Sequence, residues 1–316
     1  MLDQQLDAIM KHAQAARMPD LCDLPPQASR ELYRQILAGA DRPPAQVDVA
    51  DGAVPASVDG RAAVPLRIYT PRERGPHALV VYYHGGGYVL GDLDGYDNVC
   101  RQLCHDSGTV IVSVDYRLAP EHPFPAAFDD AWAALKWAAA NAHDLGADSG
   151  RLGVAGDSAG AVIAAAMALL ARDEGGPQIG LQALLYPPAA GGHDGDFPSR
   201  ARHAGGPTLT QRTADYFSGH AFGPTGRAPD FRGAPLLAES LVGLPPALLL
   251  VAGFDLLRDE ALAYGEALQA AGCDVATVEY VGLAHGFISM AGAVGAARLA
   301  QLQLGQALRE RLAARR

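Results

Sequence analysis

The feature that most constrains the fold of this chain is a sharp turn at residues 156–160 (Gly-Asp-Ser-Ala-Gly), between two apolar stretches. Residues 151–155 have the pattern of a short strand, and the uninterrupted apolar run 161–171 has that of a buried helix. A strand that turns so tightly into a helix has no room for side chains at the two glycines, and it holds the serine hydroxyl exposed above the sheet. The segment therefore predicts a nucleophile elbow with Ser158 as its nucleophile.

Short, continuous apolar stretches recur along the chain between helical patterns, as in strands that are buried on both faces. They are residues 78–83, 109–114, 152–155, 181–186 and 247–252. Two earlier stretches, 47–49 and 66–68, alternate between apolar and polar residues and predict antiparallel strands at the rim of the sheet. With helices predicted at 125–141 and 259–271, we expect an α/β fold with a mostly parallel central sheet and helices on both faces.

Two parts of the chain fall outside this alternation. Residues 1–45 contain two helical patterns before the first strand, and the segment 191–233 is rich in Gly, Pro and Asp with one convincing helix at 210–222. Long excursions from compact domains often form lids. We expect these two parts to form a helical cap over a main domain of residues 46–316, into which 191–233 is inserted.

A serine hydroxyl is a weak nucleophile until a base takes its proton, and a histidine does this best when a carboxylate orients it. Asp255 follows the last long apolar strand, and His285 follows the next helix and strand. The order serine, aspartate, histidine is that of α/β-hydrolases, and loops at strand ends can converge on the elbow. Asp259 and Glu260 are rival acids, but they fall in the first turn of a helix, where their charge suits the dipole. The sequence therefore predicts a triad of Ser158, Asp255 and His285.

A glycine-rich loop at residues 84–87 (His-Gly-Gly-Gly) follows the strand that ends at Tyr83. Three glycines let the backbone approach a substrate with no Cβ in the way, and backbone N–H groups stabilise the oxyanion of ester cleavage. We assign these donors to Gly86, Gly87 and Ala159. A phosphate cradle is the alternative for such a loop, but no Gly-Lys-Ser/Thr sequence follows it.

Five separated motifs together resemble the bacterial hormone-sensitive-lipase-like carboxylesterases. They are residues 84–87, 115–125, 156–160, 256–260 and 285–287. The resemblance implies an α/β-hydrolase fold whose cap is made from the N-terminal helices and an insertion after the sixth strand. It also implies a carboxylester hydrolase that works through an acyl-enzyme, and we expect no cofactor.

The chain departs from the pattern of that family in three places. Ala161 and Val162 stand where the family usually has Gly-Asn, Leu256 stands where it has proline, and Tyr216 lies where the cap helix often carries tryptophan. These departures concern the acyl and alcohol pockets rather than the catalytic groups. We expect Tyr216 and Phe217 to line a bounded pocket, which favours soluble esters with short to medium acyl chains.

Composition narrows the set of partners. A net charge of -10 argues against nucleic acid and against anionic membrane surfaces. The N-terminus has no apolar core of signal-peptide length and no run of eighteen apolar residues occurs, so we expect a soluble, cytoplasmic protein. A homodimer is compatible with the sequence.

Cys100 and Cys104, together with His105, could bind a metal ion. A zinc site needs further ligands, however, so we expect these cysteines to lie in the core and the protein to hold no metal.

Two other functions remain as alternatives. An amidase, formamidase or lactonase would use the same catalytic groups, since the choice of leaving group depends on the pocket. The fold also resembles that of the plant gibberellin receptors, in which a cap closes over a hormone. A binding module has no use for a complete triad, and the presence of His285 therefore favours the enzyme.

Overall fold

The computed structural model describes residues 1–58 and 60–314. Its centre is one sheet with the strand order β1-β2-β4-β3-β5-β6-β7-β8. The strands are β1 (Asp48–Val54), β2 (Val64–Thr70), β3 (His77–Tyr83), β4 (Val110–Val114), β5 (Ala147–Asp157), β6 (Ile179–Leu185), β7 (Ala247–Phe254) and β8 (Val275–Ala284). β2 pairs antiparallel with both β1 and β4, and each of the other neighbouring pairs is parallel. The predicted fold class is confirmed.

Helices cover both faces of the sheet. The helices of the described residues are α1 (Gln4–Ala15), α2 (Pro26–Gly39), α3 (Asp97–Ser107), α4 (Ala126–Ala140), α5 (Ala159–Asp173), α6 (Pro198–Arg202), α7 (Gln211–Phe222), α8 (Arg258–Ala270) and α9 (Gly295–Arg311). Side chains of α4, α5 and α8 pack on one face, and those of α3 and α9 pack on the other. Three short 3₁₀ turns lie at Leu21–Asp23, Pro235–Leu237 and Phe287–Met290.

The continuous apolar strands follow from this double coverage. Successive side chains of a strand point to opposite faces, so a strand with helices on both sides needs apolar residues at every position. In β3 the alternate residues Leu79, Val81 and Tyr83 join one core cluster, and Ala78, Val80 and Tyr82 join the other. All seven residues of β3 are buried.

The segment 191–233 contains two helices where the sequence predicts one. α7 agrees with the prediction, and Thr210 caps its N-terminus by accepting a hydrogen bond from the Thr213 N–H. The other helix, α6, has five residues. A helix of this length is too short to show a 3.6-residue apolar period, so periodicity could not reveal it.

The N-terminal helices and the insertion contact each other. Arg212 of α7 pairs with Asp23 at 2.7 Å, and the Thr213 hydroxyl donates to Asp20 at 2.9 Å. The two parts therefore lie side by side although about 190 residues separate them in sequence. Among the described residues, no helix has both the length and the apolar character needed to cross a bilayer.

Candidate active site

Ser158 lies at the junction of β5 and α5 in a backbone conformation that residues other than glycine rarely adopt, with φ 54° and ψ -122°. The two glycines of the turn explain how the chain accommodates this bend. A Cβ at Gly160 would overlap the carbonyl oxygens of Tyr83 and His84, and one at Gly156 would lie 2.6 Å from the Tyr83 oxygen. The turn is therefore packed directly against the end of β3, as expected for a nucleophile elbow.

The three predicted triad residues form one chain of hydrogen bonds. His285 Nε2 lies 2.8 Å from Ser158 Oγ, and His285 Nδ1 lies 2.7 Å from Asp255 Oδ2. An ionised carboxylate can only accept, so Nδ1 carries the proton and Nε2 presents its lone pair to the serine hydroxyl. The second carboxylate oxygen of Asp255 accepts from the Leu257 N–H at 2.9 Å, which fixes the carboxylate plane.

The loop that carries His285 is held by a residue that sequence reasoning missed. The Thr208 hydroxyl donates to the His285 carbonyl oxygen at 2.8 Å. Thr208 belongs to the insertion, 77 residues away in sequence. A threonine in a polar loop has no periodicity or motif that would single it out.

The two rival acids form hydrogen bonds with partners other than His285. Asp259 accepts from the Ser199 N–H at 2.7 Å, and Glu260 pairs with Arg200 at 3.1 Å and accepts from the Ala190 N–H. These bonds attach the start of α8 to the 190–200 part of the insertion. Their helix-terminal position agrees with the interpretation from the sequence.

The three predicted oxyanion donors have free N–H groups. Within residues 1–58 and 60–314, no protein acceptor bonds to the backbone N–H of Gly86, Gly87 or Ala159. Gly86 and Gly87 have φ values of 115° and 62°, which favour glycine. A Cβ at Gly87 would also overlap the ring of Phe217, so α7 lies directly on this loop.

Buried side chains anchor the glycine loop from below. His84 Nδ1 donates to the Gly85 carbonyl oxygen at 2.8 Å, and the Tyr116 hydroxyl donates to the His84 carbonyl oxygen at 2.7 Å. Burial lowers the pKa of His84 to about 4, so the ring is neutral at pH 7. The Gly85 N–H donates to Asp157 Oδ1 at 2.9 Å. The sequence shows Asp157 within the elbow and Tyr116 within the 115–125 motif, but neither position alone indicates its partner.

A cavity of about 640 Å³ opens above Ser158 and His285. Its walls include Phe217 and a set of apolar side chains from α1 and α2: Leu6, Ile9, Met10, Ile36 and Leu37. The prediction that Tyr216 also lines the pocket is corrected, because Tyr216 lies outside the cavity wall and its hydroxyl donates to the Leu24 carbonyl oxygen at 3.1 Å. Neighbouring residues of a helix point about 100° apart, so one of the pair faces the cavity and the other faces the N-terminal segment.

The cysteines of α3 lie in the core, as predicted. Cys100 and Cys104 have no exposed surface, and burial raises the pKa of the Cys104 thiol to about 12. The neighbouring His105 is largely exposed and contacts Asp106. Within the described ranges, no group of three or more His, Cys, Asp or Glu side chains could hold a metal ion.

Comparison with known proteins places this geometry in a family. Residues 80–289 match the family model described as alpha/beta hydrolase fold. Esterase LipI of Mycobacterium tuberculosis is 44% identical over 272 residues, which are 84% of either chain. Carboxylic ester hydrolase LipN of the same organism is 45% identical over 296 residues, 90% of this chain and 76% of that protein. The chain belongs to the hormone-sensitive-lipase-like carboxylesterases of the α/β-hydrolase superfamily.

One solved structure is similar to this carboxylesterase over nearly its whole length. The hyperthermophilic esterase from the archaeon Pyrobaculum calidifontis is 37% identical, covers 99% of both chains and has a TM-score of 0.91. The likeness therefore extends over the N-terminal helices and the insertion of this chain.

Proposed function

We propose that this carboxylesterase hydrolyses soluble esters with short to medium acyl chains, with Ser158 as nucleophile, His285 as base and Asp255 as the group that orients it. The observation that carries the proposal is the continuous chain of hydrogen bonds from Asp255 through His285 to Ser158, at the floor of a bounded apolar cavity. The cavity accounts for the substrate size, and the hydrogen bonds account for the chemistry.

The reaction follows from the positions of these atoms. Ser158 Oγ attacks the ester carbonyl carbon while His285 Nε2 takes the hydroxyl proton. The carbonyl oxygen becomes an oxyanion, which accepts hydrogen bonds from the backbone N–H groups of Gly86, Gly87 and Ala159. The C–O bond to the alcohol breaks, and His285 gives its proton to the leaving alcohol. Water then attacks the acyl-enzyme, His285 takes a proton from it, and the released Ser158 regains its hydroxyl proton as the acid departs.

The two outlying parts of the chain act in this proposal as a cap on the main domain. Residues 1–45 and the insertion 191–233 contribute α1, α2 and α7 to the walls of the cavity, and the remainder of 46–316 supplies the sheet and the reacting groups. Because side chains from both parts enclose the space above Ser158, the acyl chain has a limited volume to fill.

A series of p-nitrophenyl esters tests the substrate class. Each added methylene is expected to improve kcat/KM by at most about fourfold while the cavity has room, and to reduce it once the cavity is full. We expect a maximum at short to medium chain length and poor hydrolysis of triglyceride emulsions. A kcat/KM that keeps rising through the long-chain esters, with activation at the emulsion surface, would contradict the proposal.

We further propose that the protein forms a homodimer through the outer edge of β8. β8 is the last strand of the sheet, and Val281 on it is 70% exposed, with Leu299 and Leu302 of α9 also exposed. Edge strands of this kind pair with other chains. Light scattering after gel filtration should give the dimer mass for the wild type and the monomer mass for Val281→Lys. Val242→Lys, at a similarly exposed valine elsewhere, should remain dimeric; a wild-type monomer would refute the dimer.

A cytoplasmic location is also proposed, supported by the thiol state of the cysteines. All four cysteines are free, and two of them are fully buried. Reducing compartments keep such thiols intact. Fractionation of the host cells with an antibody against the protein should place it in the cytoplasmic fraction, and recovery from the envelope or the medium would contradict this.

A further inference from the structure

A buried network of hydroxyl groups surrounds Asp157, the residue that precedes Ser158. Asp157 Oδ1 accepts from the Tyr82 hydroxyl at 2.9 Å and from the Gly85 N–H at 2.9 Å, and Oδ2 accepts from the Tyr96 hydroxyl at 3.0 Å. The Gly85 N–H also lies 3.2 Å from the Tyr96 oxygen. A single carboxylate therefore joins the elbow, β3, the start of α3 and the first glycine of the 84–87 loop.

The network continues into the N-terminal helices. The hydroxyl of Tyr33, on α2, lies 3.0 Å from the Tyr96 hydroxyl. Tyr96 has one proton, which it donates to the carboxylate of Asp157, so Tyr33 must be the donor in its bond to Tyr96. Burial raises the pKa of Tyr33, which keeps that proton in place. Hydrogen bonds thus link α2 to the glycine loop, with donors from Tyr33 through Tyr96 on one side and from Gly85 on the other converging on the Asp157 carboxylate.

We infer that Tyr33 and Asp157 are positioning residues for the oxyanion loop, so that the loop reaches its reactive geometry only when α2 is seated on the main domain. The inference rests on the proposed function, because it assigns the N–H groups of Gly86 and Gly87 to the oxyanion. The Tyr96 oxygen faces both Gly85 and Tyr33. Loss of the Tyr33 hydroxyl removes the donor to the Tyr96 oxygen, which weakens the hydrogen bond from Tyr96 to Asp157 and so loosens the anchor of the loop.

The seating of α2 is itself well defined. Arg30 of α2 donates to the carbonyl oxygens of Val89 and Ala119, 2.8 and 2.9 Å away, and forms a bidentate pair with Glu121. Arg34 pairs with Asp92 at 2.6 Å. Val89 and Asp92 lie just after the 84–87 loop. α2 is therefore bonded to the C-terminal side of this loop through its arginines and to the start of the loop through the Tyr33 network.

Tyr33→Phe is the direct test, because it removes one hydroxyl and retains the ring, which also lines the cavity. We expect kcat to fall about five- to tenfold with KM changed less than about twofold, since the oxyanion forms only in the transition state. The fold loss should be equal for p-nitrophenyl acetate and butyrate. A loss that grows with acyl length, or a change in KM alone, would make Tyr33 a wall residue and overturn the inference.

Tyr83→Phe is the matched control. The Tyr83 side chain is fully buried, and its hydroxyl donates to the Ala131 carbonyl oxygen at 3.2 Å, outside the network. We expect this variant to lose stability while its kcat remains within about twofold of wild type. An equal loss of kcat in both variants would mean that any buried tyrosine hydroxyl matters, and the positioning role would fall.

A transition-state analogue separates positioning from general damage. Ser158 Oγ adds to the carbonyl of 1,1,1-trifluoro-2-hexanone and leaves an oxyanion in the same hole. The inhibition constant of Tyr33→Phe should rise by the same factor by which its kcat falls, measured on enzyme whose active sites have been titrated, so that unfolded protein does not count. An unchanged inhibition constant would refute the role.

The two positioning residues should also act as one unit. Asp157→Asn retains an oxygen that accepts from the Gly85 N–H but presents an amide to Tyr96. We expect Tyr33→Phe to reduce kcat by less than about twofold when added to Asp157→Asn, and independent losses would show that the two residues do not communicate. If Ser158→Ala were active, the proposed function itself would fail; if Ser158→Ala is inactive and Tyr33→Phe has normal kcat, only this inference fails.

Discussion

The carboxyl end of the sheet and the cap over it are built in different ways. At the sheet end, Asp157 and Asp255 are 2% exposed or less, and each accepts defined hydrogen bonds from neighbouring elements. In the cap, α1 has one fully buried side chain, Leu6, and Ile9 and Ile36 on the cavity wall are each 38% exposed. In the proposed function, the reacting atoms are thus held by many short hydrogen bonds, and loosely packed apolar side chains of the cap enclose the substrate.

This difference separates rate from selectivity. A hydrogen-bonded group at the sheet end has one productive position, so its removal affects every ester alike. An apolar group in the cap contributes in proportion to the substrate surface that it covers, so its removal alters the ranking of esters. Tyr33 belongs to both regions and, by the inference above, affects the rate from within the cap.

The sharpest change at the sheet end is Ser158→Ala. We expect kcat/KM for p-nitrophenyl butyrate to fall by roughly 10⁴-fold or more, with the melting temperature changed by only about 2 °C, because the triad acts as one unit. Circular dichroism supplies the folding control. Turnover near the wild-type level in the purified variant would remove Ser158 from the mechanism.

The acid of the triad is tested by a matched pair of substitutions. Asp255→Asn should reduce kcat by about 10³- to 10⁴-fold, because His285 loses the acceptor that fixes its tautomer. Asp259→Asn, four residues further along, should change kcat by less than about threefold, since Asp259 bonds to Ser199 and Arg258 instead. The opposite ranking would transfer the role of the acid to Asp259.

The stability of the sheet end should depend on pH through Asp157. Burial raises the pKa of Asp157 to about 6 in the folded protein, above the 3.8 of a free side chain. The folded state therefore disfavours the ionised form, and stability is lost as the pH rises from about 4 to 6 and above. Relative to Asp157→Asn, the free energy of unfolding of the wild type should fall by on the order of 3 kcal/mol between pH 4 and 7.

Denaturant titrations of the two proteins at both pH values measure this difference. Other carboxyl groups with raised pKa values, such as Asp41 and Asp115, occur in both proteins and cancel. A constant difference between wild type and variant across this range would show that Asp157 titrates as a free carboxyl group does.

The smallest effect is expected in the cap. Phe217→Ala opens the wall above Gly87, so the kcat/KM ratio of p-nitrophenyl octanoate to acetate should rise about tenfold, with little change for acetate. Tyr216→Ala on the same helix, outside the cavity wall, should leave the ratio unchanged. Equal shifts in both variants would point to general loosening of α7 rather than to the wall.

Local sequence patterns were enough to predict the sheet, the elbow and the chain order of the catalytic candidates. Continuous apolar strands indicate burial on both faces of the sheet, and the glycines at 156 and 160 indicate that another backbone segment packs closely against the turn. Both features follow from local steric requirements. Asp255 and His285 could be predicted since parallel strands end at one edge of a sheet. None of these predictions depends on knowing which side chains contact each other in the folded protein.

The hydrogen-bond partners of the polar side chains depend on tertiary packing and could not be predicted. Tyr33, Tyr96 and Asp157 are linked across 63 and 61 residues, and Thr208 reaches His285 across 77. The choice between Tyr216 and Phe217 as the cavity wall was of the same kind. Apolar patterns show whether a residue is buried but not what it meets, because the direction of a hydroxyl depends on how distant elements pack.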